Sequence, residues 1–274
     1  MQRRSVVAAA VAGAVPLFLP REVLGLGRRM QPVGLQLYTV RGLMEKDFEG
    51  TLAAVAKVGY REVEFAGYFG RTPAQVKAAL GRAGLVAPSA HVPVSSLRDE
   101  WPATLDAAAE IGHRYLVVPS VPAGMRKVLA DWQGIAERFN RAGEAAQKQG
   151  IQFAYHNHEY EFVAEGGKLP YDALLQATDV ELVQFEMDLY WIRKGGQNPF
   201  TYFVRWPGRF PLVHVKDMAK DGAMVDVGAG VIDWKAIYGV RRQAGIKHWF
   251  VEHDEPADPM KSLATSYAYM RGLK

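Results

Sequence analysis

From Val33 onward the chain repeats one pattern eight times: a short run rich in β-branched and aromatic residues, then a longer stretch in which apolar residues return at three and four. The runs expected as strands are Val33–Tyr38, Glu62–Phe65, Val86–Ser89, Tyr115–Val118, Gln152–His156, Val183–Met187, Leu212–Val215 and Lys247–Val251. Between them, Asp47–Val58, Pro73–Ala83, Glu100–Ile111 and Trp132–Gln149 carry helical spacing, and Gly59, Gly84, Gly112, Gly150 and Gly245 stand where helix C-caps belong. Strict alternation of strand and helix calls for parallel strands joined by right-handed crossovers. Eight units close most economically into a (β/α)8 TIM barrel, an α/β fold of roughly 250 residues, which the 274-residue chain matches. One domain is expected over residues 31–274.

The first thirty residues read differently. Arg3 and Arg4 precede an uncharged apolar run from Val6 to Pro20, too short to span a bilayer core of about 30 Å, as in an export signal peptide. The Arg3-Arg4-Ser5-Val6-Val7 start resembles a twin-arginine signal, the alternative being an ordinary secretory one or a membrane anchor. Export to the periplasm is the expectation, with no stable membrane insertion after cleavage.

The leader also explains the charge. Of 33 Lys and Arg it holds five, and of 29 Asp and Glu only one, so the remainder has 28 of each. A near-neutral domain lacks the basic surplus of a nucleic-acid binder. With no cysteine, a metal has to be held by His, Asp, Glu or water. No G-x-G-x-x-G turn follows the first strand and no phosphate-binding P-loop occurs, which argues against a nucleotide cofactor.

Chemistry-bearing residues gather at the C-terminal ends of the expected strands, the face where barrels build active sites. They are Gln36 and Tyr38, Glu64, His91, His156 to Glu159, Glu186 and Asp188, His214 to Asp217, and Glu252 to Glu255. His156, Asp188, His214 and Glu252 are far apart in sequence but converge on one axis in a barrel. A mixed nitrogen and oxygen set suits one divalent ion, Mn²⁺ first, with Zn²⁺, Co²⁺ or Mg²⁺ as alternatives. The bland alternative is a rim of capping and salt-bridging side chains.

Residues His156-Asn157, Asp188, His214-Val-Lys-Asp217, Gly228-Ala-Gly-Val-Ile-Asp-Trp234 and Val251-Glu252 resemble the xylose isomerase-like barrel superfamily of sugar phosphate isomerases and epimerases. The resemblance implies that Asp188, His214 and Glu252 are metal ligands. It departs at strand 5, where ketose 3-epimerases carry a Glu and this chain has His156. That His is similar to the inosose dehydratase branch and to relatives acting on 3-keto sugars and their glycosides.

The expected chemistry is removal of a proton alpha to the carbonyl of a non-phosphorylated keto sugar, by isomerisation or epimerisation, or by elimination from a 3-keto-glycoside or keto-inositol. Glu252 or His158 is the expected base, Lys216 the stabiliser of enediolate charge unless it pairs with Asp217, and Glu64 a proton donor or hydroxyl contact. His91 and Glu159 are expected substrate contacts beside Gln36, with Tyr38, Phe69, Trp191 and Trp234 as platforms for the ring. The Val227–Trp234 segment either closes over the site or simply turns. A metal-bearing sugar-binding protein without turnover and an endonuclease IV-like nuclease are the competing readings, the second disfavoured by charge and leader.

Overall fold

A computed structural model describes residues 32–273. The expected leader, residues 1–30, and its signal type lie outside the described residues. Eight parallel strands form the barrel: β1 (Gly34–Gln36), β2 (Glu62–Phe65), β3 (Val86–His91), β4 (Tyr115–Val118), β5 (Gln152–His156), β6 (Val183–Asp188), β7 (Leu212–Val215) and β8 (His248–Val251). Each pairs with its sequence neighbours, and β1 closes onto β8 through Gly34 opposite Phe250 and Leu35 opposite Val251. Helices pack outside, among them Phe48–Val58, Pro73–Ala83, Trp101–Ile111, Asp131–Gln147 and Pro259–Gly272. No helix among the described residues is long and apolar enough to cross a membrane.

Local chemistry sets the element ends. Asp47 caps Phe48–Val58 by accepting from the Gly50 N–H, and Thr72 with Gln75 forms a reciprocal capping box for Pro73–Ala83. Gly84, Gly112 and Gly245 take the left-handed C-cap conformation their positions suggested. Gly150 does not cap its helix. Asp131–Gln147 ends on Lys148, and Gly150 makes the turn that follows, with φ +71°.

Side-chain alternation along the strands divides the barrel interior into layers. At the closed end, His248 Nδ1 lies 2.8 Å from Glu62 Oε2. The middle layer is apolar, a cluster of Tyr115, Val117, Ala154, Leu212 and Phe250. Gly34 gives it room: a Cβ there would lie 2.5 Å from the Phe250 ring. Toward the C-terminal ends of the strands the interior turns polar, with Gln36, Glu64, His91, His156, Glu186 and His214. Asp188, Lys216 and Glu252 follow at the mouth.

Candidate metal centre and cleft

The mouth brings together Asp188, His214 and Glu252, whose ligand atoms all lie within 4.8 Å of one another. His214 Nδ1 is 2.6 Å from Glu252 Oε2 and 3.9 Å from Asp188 Oδ2. His156 Nε2 joins at 3.6 Å from Asp188 Oδ2. Asp188 Oδ2, His214 Nδ1 and Glu252 Oε2 are buried, at contact distance from charged neighbours, yet none is aligned in a hydrogen bond. Buried polar atoms nearly always have partners. Facing one another, with the Lys216 ammonium 3.1 Å from Asp188 Oδ2 and 2.8 Å from Glu252 Oε2, the three form a candidate ligand set whose atom types fit a divalent cation.

A second layer orients them. Glu186 Oε2 is 2.8 Å from His91 Nε2, 3.2 Å from His156 Nδ1 and 3.1 Å from His214 Nε2. Glu64 Oε2 lies 2.9 Å from His214 Nε2 and 2.8 Å from His91 Nε2, and accepts from Gln36 Nε2 at 2.7 Å. These contacts place ring protons on the lower side: His214 Nε2–H and His156 Nδ1–H donate downward, so neutral His156 turns the Nε2 lone pair toward the mouth and His214 aims Nδ1 at Glu252. A carboxylate behind a metal-binding imidazole fixes its tautomer in this way. His91, His156, Glu186 and His214 also form a compact ligand-type group, but its atoms are spent on hydrogen bonds to each other.

The electrostatics favour a cation. Burial and the surrounding imidazoles hold the His156 pKa well below its usual value, so the ring stays neutral, as a ligand must. Burial opposes charge on His214 too, but Glu186 and Glu252 drive its pKa well above the usual value. Burial raises Asp188 to about 6 against the pull of Lys216 and His214. Burial also works against Glu252, yet Lys216 and His214 keep it well below the ordinary carboxylate range. Glu64, Glu186, Asp188 and Glu252 are all buried, with Lys216 as the ammonium among them.

His156 and Glu252 of this cluster reach a cleft of about 970 Å³, with Asp188 and His214 buried behind them. His91, His156, His158, Lys216, Glu252 and Asp254 form its polar end, while Val92, Val94, Pro119 and Pro122 line the other. Tyr38 stands at the rim, 41% exposed, under the Arg41 guanidinium. His158 presents a buried Nδ1 with no partner, and burial lowers its pKa to about 3, keeping the ring neutral.

Several expected site residues take other places. Trp234 is no sugar platform: it is 1% exposed and its indole N–H donates to Asp217. Gln36 and Glu64 lie in the hydrogen-bonded layer under the candidate ligands, fully buried and outside the cleft lining. Trp191 packs beside His158 and the Lys216 ammonium, behind the cleft lining. Phe69 packs edge-on against Phe48 in the helical layer. Glu159 precedes the turn Tyr160–Phe162, with no capping bond from its side chain, outside the lining. Lys216 makes no pair with Asp217, because alternation sends adjacent side chains to opposite faces; its partners are Asp188, Glu252 and Asp254.

Glu186, noted at its strand end but given no role there, is the residue that ties the histidines together. It precedes Asp188 by two on one strand, so period two puts both carboxylates inside. Asp254, at the strand 8 end, holds Lys216 at 2.7 Å, a pairing the order of residues does not disclose.

The segment bearing His158 has its own titrating support. Glu161 is buried and accepts from the Tyr155 hydroxyl and the His158 N–H. Burial pushes its pKa to about 7, outweighing those bonds and the nearby Arg126. A carboxyl whose folded pKa is raised contributes stability that is present below its unfolded pKa and lost as pH rises through the folded one. Melting curves are therefore expected to fall between about pH 4.5 and 7, by on the order of 3 kcal/mol from this group. In Glu161→Gln the amide donates to Tyr155 and still accepts from His158, so that slope should flatten; an unchanged slope would place the titration elsewhere.

A closed parallel barrel with a carboxylate and imidazole cluster at its C-terminal mouth defines a TIM barrel built around a candidate metal centre. The chain belongs to the xylose isomerase-like TIM barrel family, whose sequence model matches residues 52–272. It is 27% identical over 156 residues to an inosose dehydratase of Lacticaseibacillus casei, covering 50% of this chain and only 51% of the relative. An inosose dehydratase of Bacillus cereus is 24% identical over 263 residues, covering 82% of this chain and 87% of the relative. A solved sugar phosphate isomerase/epimerase of Parabacteroides distasonis superposes with TM-score 0.77 at 29% identity, over 87% of this chain and 93% of that one.

Proposed function

We propose that the protein is a divalent-metal-dependent enzyme that removes a proton alpha to the carbonyl of a keto sugar or keto-polyol. The observation that carries this is the buried trio Asp188, His214 and Glu252, whose ligand atoms converge within 4.8 Å of one another, with Glu252 reaching a cleft that Lys216 and His158 also line. His156, Asp188, His214 and Glu252 would hold the ion. A divalent cation there polarises a carbonyl and acidifies the adjoining C–H.

The chain's own groups supply the rest. Glu252 is ionised and faces the cleft, which makes it the proton acceptor. Burial opposes charge on Lys216, but Asp188, Glu252 and Asp254 hold its pKa well above the usual value, so the side chain brings an ammonium to the cleft, where it can meet an oxygen that gains negative charge. His158, neutral and unpartnered at Nδ1, accepts a substrate hydroxyl. His91 lines the wall as an imidazolium donor: burial opposes its charge, but Glu64 and Glu186 raise its pKa to about 9.

Isomerisation, epimerisation and elimination share this first step and differ in what leaves or is reprotonated. The elimination reading is favoured by His156 in place of a second base on β5 and by the inosose dehydratase relatives. A substrate without phosphate is supported by the carboxylates Glu252, Asp254 and Glu255 at the polar end, where the ammonium of Lys216 is already committed. The arginine-led leader supports export, Mn²⁺ being the first choice of ion.

The test is solvent exchange. Manganese-loaded protein in D₂O should introduce deuterium alpha to the carbonyl of 2-keto-myo-inositol or a 3-keto-glucoside, or release water or aglycone, as followed by NMR. Glu252→Gln should lower that rate by roughly 10²–10⁴-fold. Wild-type protein that binds the ion and exchanges nothing would leave a sugar-binding role in its place.

A further inference from the structure

We propose that Lys216 is the resident cation of the ligand carboxylates, and that a divalent ion binds by displacing its ammonium onto Asp254. This rests on the metal-centre reading above. Lys216 Nζ is 3.1 Å from Asp188 Oδ2 and 2.8 Å from Glu252 Oε2, the same two oxygens that complete the ligand trio with His214 Nδ1. The side chain is 3% exposed, so water screens the contest between two cations only weakly.

The third contact shows where the ammonium goes. Asp254 Oδ1 is the nearest partner, at 2.7 Å, and Asp254 lies outside the ligand trio at the cleft rim, 28% exposed. The Trp191 ring centroid is 5.7 Å from Nζ and closes the other side. An ammonium that gives up Asp188 and Glu252 therefore keeps Asp254 and faces the cleft. Loading the ion and presenting Lys216 to a substrate oxygen become one event, with Asp254 as the positioning residue. The ion-free protein avoids stacking uncompensated carboxylates at its mouth.

The prediction is a metal affinity that improves when a cation is removed from the site. Mn²⁺ binding to the full chain can be followed by the electron paramagnetic resonance of the free ion, with melting curves taken in its presence and absence. Lys216→Met should bind Mn²⁺ about tenfold more tightly. It should also melt earlier than wild type without the ion and recover with it. Asp254→Asn, half-buried at the rim, should bind Mn²⁺ on the order of tenfold more weakly, because the displaced ammonium has lost its receiving charge.

Unchanged or weaker Mn²⁺ binding in a folded Lys216→Met would overturn the exchange. Should that variant not fold, Asp254→Asn decides alone, and wild-type affinity there overturns it equally. Wild-type protein that binds neither Mn²⁺, Zn²⁺ nor Co²⁺ overturns the metal centre and the exchange together, whereas tight wild-type binding with unmoved variants overturns the exchange only.

Discussion

Asp188→Asn should abolish tight divalent-metal binding while leaving the barrel folded, a result read directly by titration calorimetry with Mn²⁺ beside a melting curve. The two oxygens of Asp188 do different work. Oδ1 accepts from the Tyr190 and Trp191 N–H groups at 2.9 and 2.8 Å and caps the helix Leu189–Lys194. Oδ2 faces His214, His156 and Lys216. Alanine would remove the cap as well, at a cost of about 0.5–2 kcal/mol, and would confuse the two roles. Asparagine keeps the accepting oxygen for the helix and puts an uncharged NH₂ toward the mouth, where it cannot ligate and meets the Lys216 ammonium donor to donor. Glu186→Gln should act more mildly, lowering affinity by about 10–100-fold, because Glu186 sets the ring protons of His156 and His214 without reaching the ion's side of either. Wild-type affinity in Asp188→Asn would remove the central residue of the proposed centre.

The difference between these residues also shows what a sequence reveals. The strands Glu62–Phe65, Tyr115–Val118, Gln152–His156 and Leu212–Val215 were legible to the residue, because period-two apolar runs bounded by turn residues leave little choice of element or face. The convergence of Asp188, His214 and Glu252 followed from the barrel alone, since strand ends share one mouth. Depth along the barrel axis was not legible. Gln36 and Glu64 come from strand ends like the ligands, but the stagger of parallel strands in a barrel sets them lower, where they orient His214. Partners contributed by loops were hidden for a similar reason. Nothing in the order Lys216-Asp217 says that the first turns inward to three carboxylates and the second outward to a loop. Only closing the barrel fixes which face each takes.

That outward carboxylate carries the second large expected effect: Asp217→Ala should cost about 3–5 kcal/mol, as loss of a buried, fully bonded charge does. Asp217 is 1% exposed and serves five donors. Its Oδ2 accepts from the Gly228 and Gly230 N–H groups at 2.8 and 3.2 Å and from Trp234 Nε1 at 3.0 Å. Its Oδ1 accepts from Met218 N–H at 2.8 Å and Ile232 N–H at 3.2 Å. The segment from Gly228 to Trp234 is wound around one side chain, which is why it neither closes over the site nor offers Trp234 to a sugar. Glycine is required at 230, where a Cβ would lie 2.1 Å from Asp217 Oδ1. Alanine at 217 leaves four backbone N–H groups and an indole without their acceptor in a place water reaches poorly. The same residue starts the small antiparallel ribbon Asp217–Met218 with Met224–Val225, and Met224 lines the cleft beside Lys216. Stability and cleft shape should therefore fail together: a melting point lower on the order of 10 °C, and protease cleavage appearing first between residues 226 and 234. Asp217→Asn keeps the volume but sets an NH₂ against donors, so it should fall between wild type and alanine. A melting point within a degree of wild type for the alanine variant would mean that the loop holds itself, and that the carboxylate merely fills a site its neighbours had already made.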